Sequence, residues 1–430
     1  MFSSVSGWWA GCFEKFLPGF ENECEEMTSQ HKQLMLILDE IRFEGFFDES
    51  FTLSARGRPK FSRSALACAF IAKAVFRIET TRAIIERLQA DKKLRRICGF
   101  KTGKRLPCEA SFSNAFAEFA HSGILNKVHE VLVQRHLGGT MIENVARDST
   151  EIDGREKPLK KEDTNENSSE ISAIMFQKRA SDSNESNKPK SESAESGVTP
   201  ITESAGPTED FQRKIDATDS MKPLQKIGEE DIKKTKKVSK KSSPKNEEHK
   251  PLTKLELQAK KSQQQILNDL SKNADIGGKK NSKGHTQFWI GYKLHMDVAP
   301  DGTPIACLLT SASVHDSMVS LALESITNQR VLSLYTLADA AYDARVIKEN
   351  IESYGKIAVI DHNPRRGEKL DFDPCKSERY KARTTVERTN SEIKDNLGGR
   401  NVFVRGHSKV LCHLMFGVIT LCAKRIVLAG

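Results

Sequence analysis

Three acidic residues fall where a chain can hold chemistry instead of merely solvating a surface. Asp148 lies in RDST at the end of a β-rich run, Asp339 in LADAAYD just past a buried apolar run, and Glu387 on a long helical stretch near the C-terminus. Phosphodiester cleavage needs such a set. Its carboxylates hold two divalent cations about 4 Å apart, one activating the attacking hydroxyl and one stabilising the leaving oxygen. Taken singly, each residue reads more simply as a turn, a helix cap or a solvated helix position. Their company changes the weighing. Tyr380, Arg383, Glu387 and Lys394 follow one another as Tyr-x2-Arg-x3-Glu-x6-Lys. At about 100° per residue on a continuous helix, the four project within an arc of about 60°. The types suit a phosphate backbone: a carboxylate for metal, Arg for bidentate contact, Lys as a point charge and Tyr as a hydroxyl donor. Arg383 and Glu387 are also an ordinary i,i+4 pair, so spacing alone does not decide the matter.

These residues need rigid supports, and the surrounding pattern supplies them. Ile142–Thr150 reads as a strand ending near Asp148. FWIGYKLHMDV and TPIACLLTSAS, joined across Asp301–Gly302, read as a hairpin. A helix at Met318–Thr327, a strand at Val331–Leu337, a helix at Tyr342–Tyr354, a strand at Lys356–Asp361 and long helices near 376–397 and 407–427 complete the series. That order describes an α/β fold, a mixed sheet covered by helices. Residues 30–137 carry only helical patterns and form an N-terminal all-α domain. Residues 154–284 are dominated by Ser, Asn, Lys, Glu, Thr and Pro. So little apolar surface cannot offset the entropy of ordering, which makes this stretch a long, mostly disordered insertion, with a helix permitted at Leu252–Leu270. The sheet domain is then 140–153 plus 285–430.

Composition narrows the class. The 430 residues carry a formal charge of +9 with 37% hydrophobic residues, which fits a polyanion-binding protein diluted by an unfolded stretch. Nine scattered cysteines show no zinc-knuckle or CxxC spacing and read as small apolar residues of a reducing cytosol. No secretory leader is recognised in MFSSVSGWWAGCFEKF. The apolar run Val410–Ala423 is short for a bilayer and reads as a buried helix, so no membrane partner is expected.

Tyr-x2-Arg-x3-Glu-x6-Lys matches the Y-R-E-K signature of bacterial insertion-sequence DDE transposases, and the neighbouring segments are similar too. RDSTEIDG resembles the first-aspartate segment, WIGYKLHMDV and LLTSASVHDS the paired strands, LADAAYD the second-aspartate segment and VRGHSKVLCHLMFGVI the closing helix. GRPKFSRSALACAFIAKAVFRIETTRAIIERL resembles the N-terminal domain of the same group. The resemblance implies an RNase H-like core in which Asp148, Asp339 and Glu387 are catalytic and hold two Mg²⁺ (or Mn²⁺) ions. It places Tyr380, Arg383 and Lys394 on DNA near the transposon end. It also implies double-stranded DNA ends and target as partners, a homodimer on DNA and a cytoplasmic, nucleoid-associated location. DAAYD departs from the Lys-Gly pair that often follows the second aspartate, which leaves Asp343 as an alternative to Asp339.

Four further arginines are DNA-contact candidates. Arg56 and Arg58, in RGRP, resemble a minor-groove arm, with a basic turn as the other reading. Arg365 and Arg366 follow the last strand. His315 and Asp316 are read as helix caps in preference to metal ligands, and KKTKKVSKK as a solvated linker, with nonspecific holding of DNA as the other reading. The expected function is cleavage of terminal inverted repeats and joining to target DNA by metal-dependent phosphoryl transfer. The alternative is a catalytically inactive, transposase-derived DNA-binding protein, which would show no Mn²⁺-dependent nicking.

Overall fold

In the computed structural model, which describes residues 27–47, 60–101, 103–158, 252–280, 284–365 and 367–429, the sheet is organised around one long strand. Arg56, Arg58, Arg366 and insertion residues 159–251 lie outside the described residues. Strand β1, Met141–Asp153, continues past Asp148 instead of ending there. It pairs antiparallel with β3, Thr286–Val298, and parallel with β5, Leu332–Ala338. The first half of β3 pairs with β2, Asp275–Lys280, and its second half with β4, Pro304–Ser311. Strand β6, Ile357–Ile360, joins β5 in parallel. The order is β2-β3-β1-β5-β6, with β4 also on β3. Parallel neighbours need crossovers, and the chain reaches β5 through helix α9, Ser317–Arg330, and β6 through α10, Arg345–Ser353. This mixed sheet with its helices is compatible with an RNase H-like core.

Strand β2 was not expected, because DIGGKK shows no apolar alternation. It pairs antiparallel with β3, and Gly277 leaves room there for a cross-strand ring: a Cβ would sit 2.4 Å from Trp289. The residues before it, read from composition as insertion, are also built into the fold. Thr253 with Glu256 and Ser262 with Gln265 form capping boxes that start two short helices, α7 (Lys254–Ala259) and α8 (Gln263–Asp269). Ile266 and Leu270 are buried in clusters with Leu321, Val319 and Leu323 of α9. At the other end of β2–β3, Gly291 (φ 150°) lies so close to β1 that a Cβ would fall 2.3 Å from the Ile152 carbonyl oxygen.

The N-terminal helices are α1 (Ser29–Ile41), α2 (Arg63–Val75), α3 (Thr81–Ala90), α4 (Lys92–Ile97), α5 (Glu109–Ser122) and α6 (Ile124–Leu137). Side-chain oxygens of Thr28, Ser62, Thr80 and Asp91 cap the first four. All but α3 and α4 pack against the C-terminal helix α13, His407–Ala429, which also touches β4. Phe416 of α13 meets Phe70 of α2 and Phe116 and Phe119 of α5, at centroid separations of 5.1, 6.3 and 6.1 Å. One core therefore runs from the helices into the sheet. By length and composition α13 could cross a bilayer, yet its run from Leu414 to Ala423 is buried inside the protein.

Candidate active site

The register of β1 and β5 juxtaposes the two aspartates. Arg147 stands opposite Ala338 in the parallel pair, so Asp148 and Asp339 are the next residues along two adjacent strands, whose axes lie about 4.8 Å apart. Asp339 caps the short 3-10 turn Ala340–Tyr342, accepting the Ala341 N–H at 3.0 Å. Burial, and then the charge of Asp339, pushes the Asp148 carboxyl up to about 6. Burial also raises the Asp339 carboxyl, opposed by the Ala341 N–H and reinforced by Asp316. Asp343, the alternative, is engaged elsewhere: it pairs with Lys348 at 2.6 Å and accepts the Asn363 N–H at 2.9 Å. Burial works against its charge, but these partners hold its carboxyl below the usual range.

The helix expected over 376–397 is broken. Helix α11, Pro374–Tyr380, gives way to a 3-10 turn at Lys381–Arg383 before α12, Thr384–Asn396. Thr384 contributes to the break by donating its hydroxyl to the Lys381 carbonyl at 3.0 Å. Tyr380 therefore does not share a continuous helical face with Glu387 and Lys394. Its ring lies tilted against that of Phe372 at 4.9 Å, and the Arg383 guanidinium lies over it at 5.6 Å.

Arg383 is the hub. It pairs with Glu387, and although burial works against its charge, Tyr380, Glu387, Asp148 and Asp339 together hold it charged beyond the usual arginine range. Glu387 is exposed and turned to Arg383. Among the described residues, no three His, Cys, Asp or Glu side chains are grouped closely enough to hold a metal ion. Lys394 reaches Glu151 of β1 at 2.6 Å. Arg365, in the loop after β6, is exposed with its backbone left-handed at φ 50°.

Asn390, one turn beyond Glu387, is a neighbour that residue types did not single out. It is 5% exposed, donates its amide to Asp148 at 3.1 Å, and its carbonyl oxygen is buried without a partner. Asp148, Asp339 and the Asn390 amide offer hard oxygen atoms, the kind of donor that a divalent cation takes. His315 and Asp316 divide the role expected of them. His315 Nδ1 accepts the Ser317 N–H at 3.3 Å, whereas Asp316 makes no side-chain cap and pairs with Lys293 at 3.1 Å.

Directly beneath Asp148, Arg147 is 1% exposed and forks onto Asp297 with two bonds of 2.7 Å. It also reaches Glu324 and Ser320 at 2.8 Å, and Lys356 completes the group on Glu324 at 2.9 Å. Two cations and two carboxylates thus neutralise one another and tie β1 to β3 and α9. A sequence pass sees only an arginine beside an aspartate.

Residues 256–423 match the family model described as Transposase DDE domain, and residues 22–118 match that described as Transposase domain (DUF772). Asp339 and Glu387 lie inside the first range and Asp148 between the two. No curated protein and no solved structure matches the chain. Both matched stretches are thus similar to transposase domains.

Proposed function

We propose that the protein cleaves the ends of an insertion element and joins them to target DNA, with Asp148, Asp339 and Glu387 as its catalytic carboxylates. The observation that carries this reading is the pair Asp148, within β1, and Asp339, just past the end of the adjacent β5, linked through the charge of Arg383 to Glu387. These three residues, with the Asn390 carbonyl oxygen beside them, would hold two divalent cations, which when bound supply an activated nucleophile and charge stabilisation at the leaving oxygen. Glu387 joins the aspartates by turning from Arg383. That turn frees the guanidinium for bidentate contact with the phosphate next to the scissile bond. Tyr380 presents its hydroxyl to the same strand, and Lys394 contributes a point charge one turn beyond Asn390. Arg365 contacts the backbone from the β6 loop. The helices of 30–137 bind the terminal repeats, the sheet domain carries the chemistry, and two copies process the paired ends. The domain boundary at 285 moves back to about 252 in this proposal, since α7, α8 and β2 pack on α9 and β3.

The test is cleavage of a duplex carrying the DNA that flanks the gene, with Mg²⁺ or Mn²⁺. The wild type should cut it, and Asp148→Ala should bind the duplex without cutting. Equal cutting by Asp148→Ala would remove Asp148 from the site.

A further inference from the structure

A second charged locus lies away from the carboxylates. Beyond β1, at the start of α13, a cleft is lined by Lys157, Lys272, Arg405 and Lys409, with Glu156 and Tyr292 at its wall. The four cations come from three separate segments: the end of the β1 extension, the approach to β2 and the start of α13. All four are exposed, and among the described residues none of them makes an ion pair. Glu156, the one carboxylate in the lining, is already committed. It accepts the Tyr292 hydroxyl at 3.0 Å and the Gly406 N–H at 2.6 Å. Four like charges held in one cleft repel one another unless a polyanion joins them.

We infer that this cleft is a second seat for the DNA backbone, taking phosphates of the duplex that runs on from the cleavage site. The inference rests on the DNA-processing function proposed above and adds where the duplex goes. Strand β1 is the ruler. Five residues from Asp148 to Asp153 span about 17 Å, and the three further residues to Glu156 bring the total to at most about 26 Å. At about 3.4 Å per base pair, the cleft meets the backbone about five to eight base pairs from the scissile phosphate. The path between is continuous with the proposed contacts. Lys394 sits on Glu151 partway along β1, and Arg155 lies over Phe403 at 5.3 Å just before the cleft.

The experiment compares the full-length wild type with the quadruple variant K157A/K272A/R405A/K409A on a 40-base-pair duplex of the DNA flanking the gene. Binding is measured from about 50 to 200 mM salt, and hydroxyl-radical footprints are taken at saturation. Losing up to four phosphate contacts should flatten the plot of log affinity against log salt by about 2–4. The footprint should lose its outer protection, about five to eight base pairs out, while protection around the cut persists. The charge-preserving variant K157R/K272R/R405K/K409R should restore both. An unchanged slope and footprint in the alanine variant, with a wild type that binds and cuts, overturns the cleft alone. Loss of all protection in the alanine variant, unrestored by the charge-preserving one, also overturns it, since that marks a folding defect. A wild type that neither binds nor cuts this duplex overturns the transposase reading beneath it.

Discussion

Asp148 stands in a conflict that its own side chain makes measurable. Its carboxyl is raised to about 6 by burial and by Asp339, above the unfolded value of about 3.9. A raised carboxyl favours the protonated fold, so its contribution to stability is intact below about pH 4 and lost as pH climbs through about 6. Asp148→Asn removes that charge. Without divalent ions it should gain up to about 2 kcal/mol over the wild type at pH 8 and nothing at pH 4, allowing for partial exposure. Urea unfolding at both pH values reads this directly, and no gain at pH 8 would contradict it. Mn²⁺ should then stabilise the wild type more than the variant, because binding to the folded state alone raises stability. The choice between Asp339 and Asp343 belongs to the same scale. Both follow the β5 strand and have the right chemistry, so residue types leave them level. Pairing separates them, because register sets one beside Asp148 while Lys348 and the Asn363 N–H occupy the other. Asp343→Asn should therefore lower stability modestly and leave cutting intact, and loss of cutting with normal folding would reverse the assignment.

At the scale of elements, the strands were legible because apolar runs of strand length mark them, although β1 runs on to Asp153, past the Asp148 near which it was expected to end. Strands β1, β3, β4, β5 and β6 and helix α13 all fall where their patterns put them. What escaped was whatever depends on a partner. Strand β2 contains two glycines and two lysines and is recognisable only from its pairing with β3, where Trp289 lies over Gly277. The break at Lys381–Arg383 is invisible to a projection that assumes one continuous helix. The Arg147–Asp297–Glu324–Lys356 group joins residues far apart in the chain, and no local signal marks it. Arg147→Met should cost about 3–5 kcal/mol, because among the described residues it leaves buried Asp297 with the Thr327 hydroxyl but no cation, and Glu324 with Lys356 as its one cation. A denaturant midpoint within error of wild type would show that the group does not hold β1 on α9. Gly291→Ala puts a Cβ against the Ile152 carbonyl oxygen and the Gly154 nitrogen. It should lose more than about 1 kcal/mol, an outcome checked by the same unfolding curve.

Across the whole molecule, α13 makes the helices and the sheet one cooperative body. Phe416→Ala should cost about 3–5 kcal/mol. Hydrogen exchange should then show α2, α5 and β4 losing protection together. Opening of α2 and α5 while β4 stays as protected as in the wild type would show two separable cores. Under the proposed function, the same continuity would give repeat-binding N-terminal helices a rigid path to the carboxylates, with no loose tether between recognition and chemistry. The most direct test of the central claim is the rate of Mn²⁺-dependent cleavage of flanking DNA by Asp148→Asn, Asp339→Asn and Glu387→Gln beside the wild type. The account predicts a metal-dependent wild-type rate that falls at least about a thousandfold in each variant. A wild-type rate unaffected by removing the metal, or any one of the three variants cutting at the wild-type rate, would contradict a shared site built from these carboxylates.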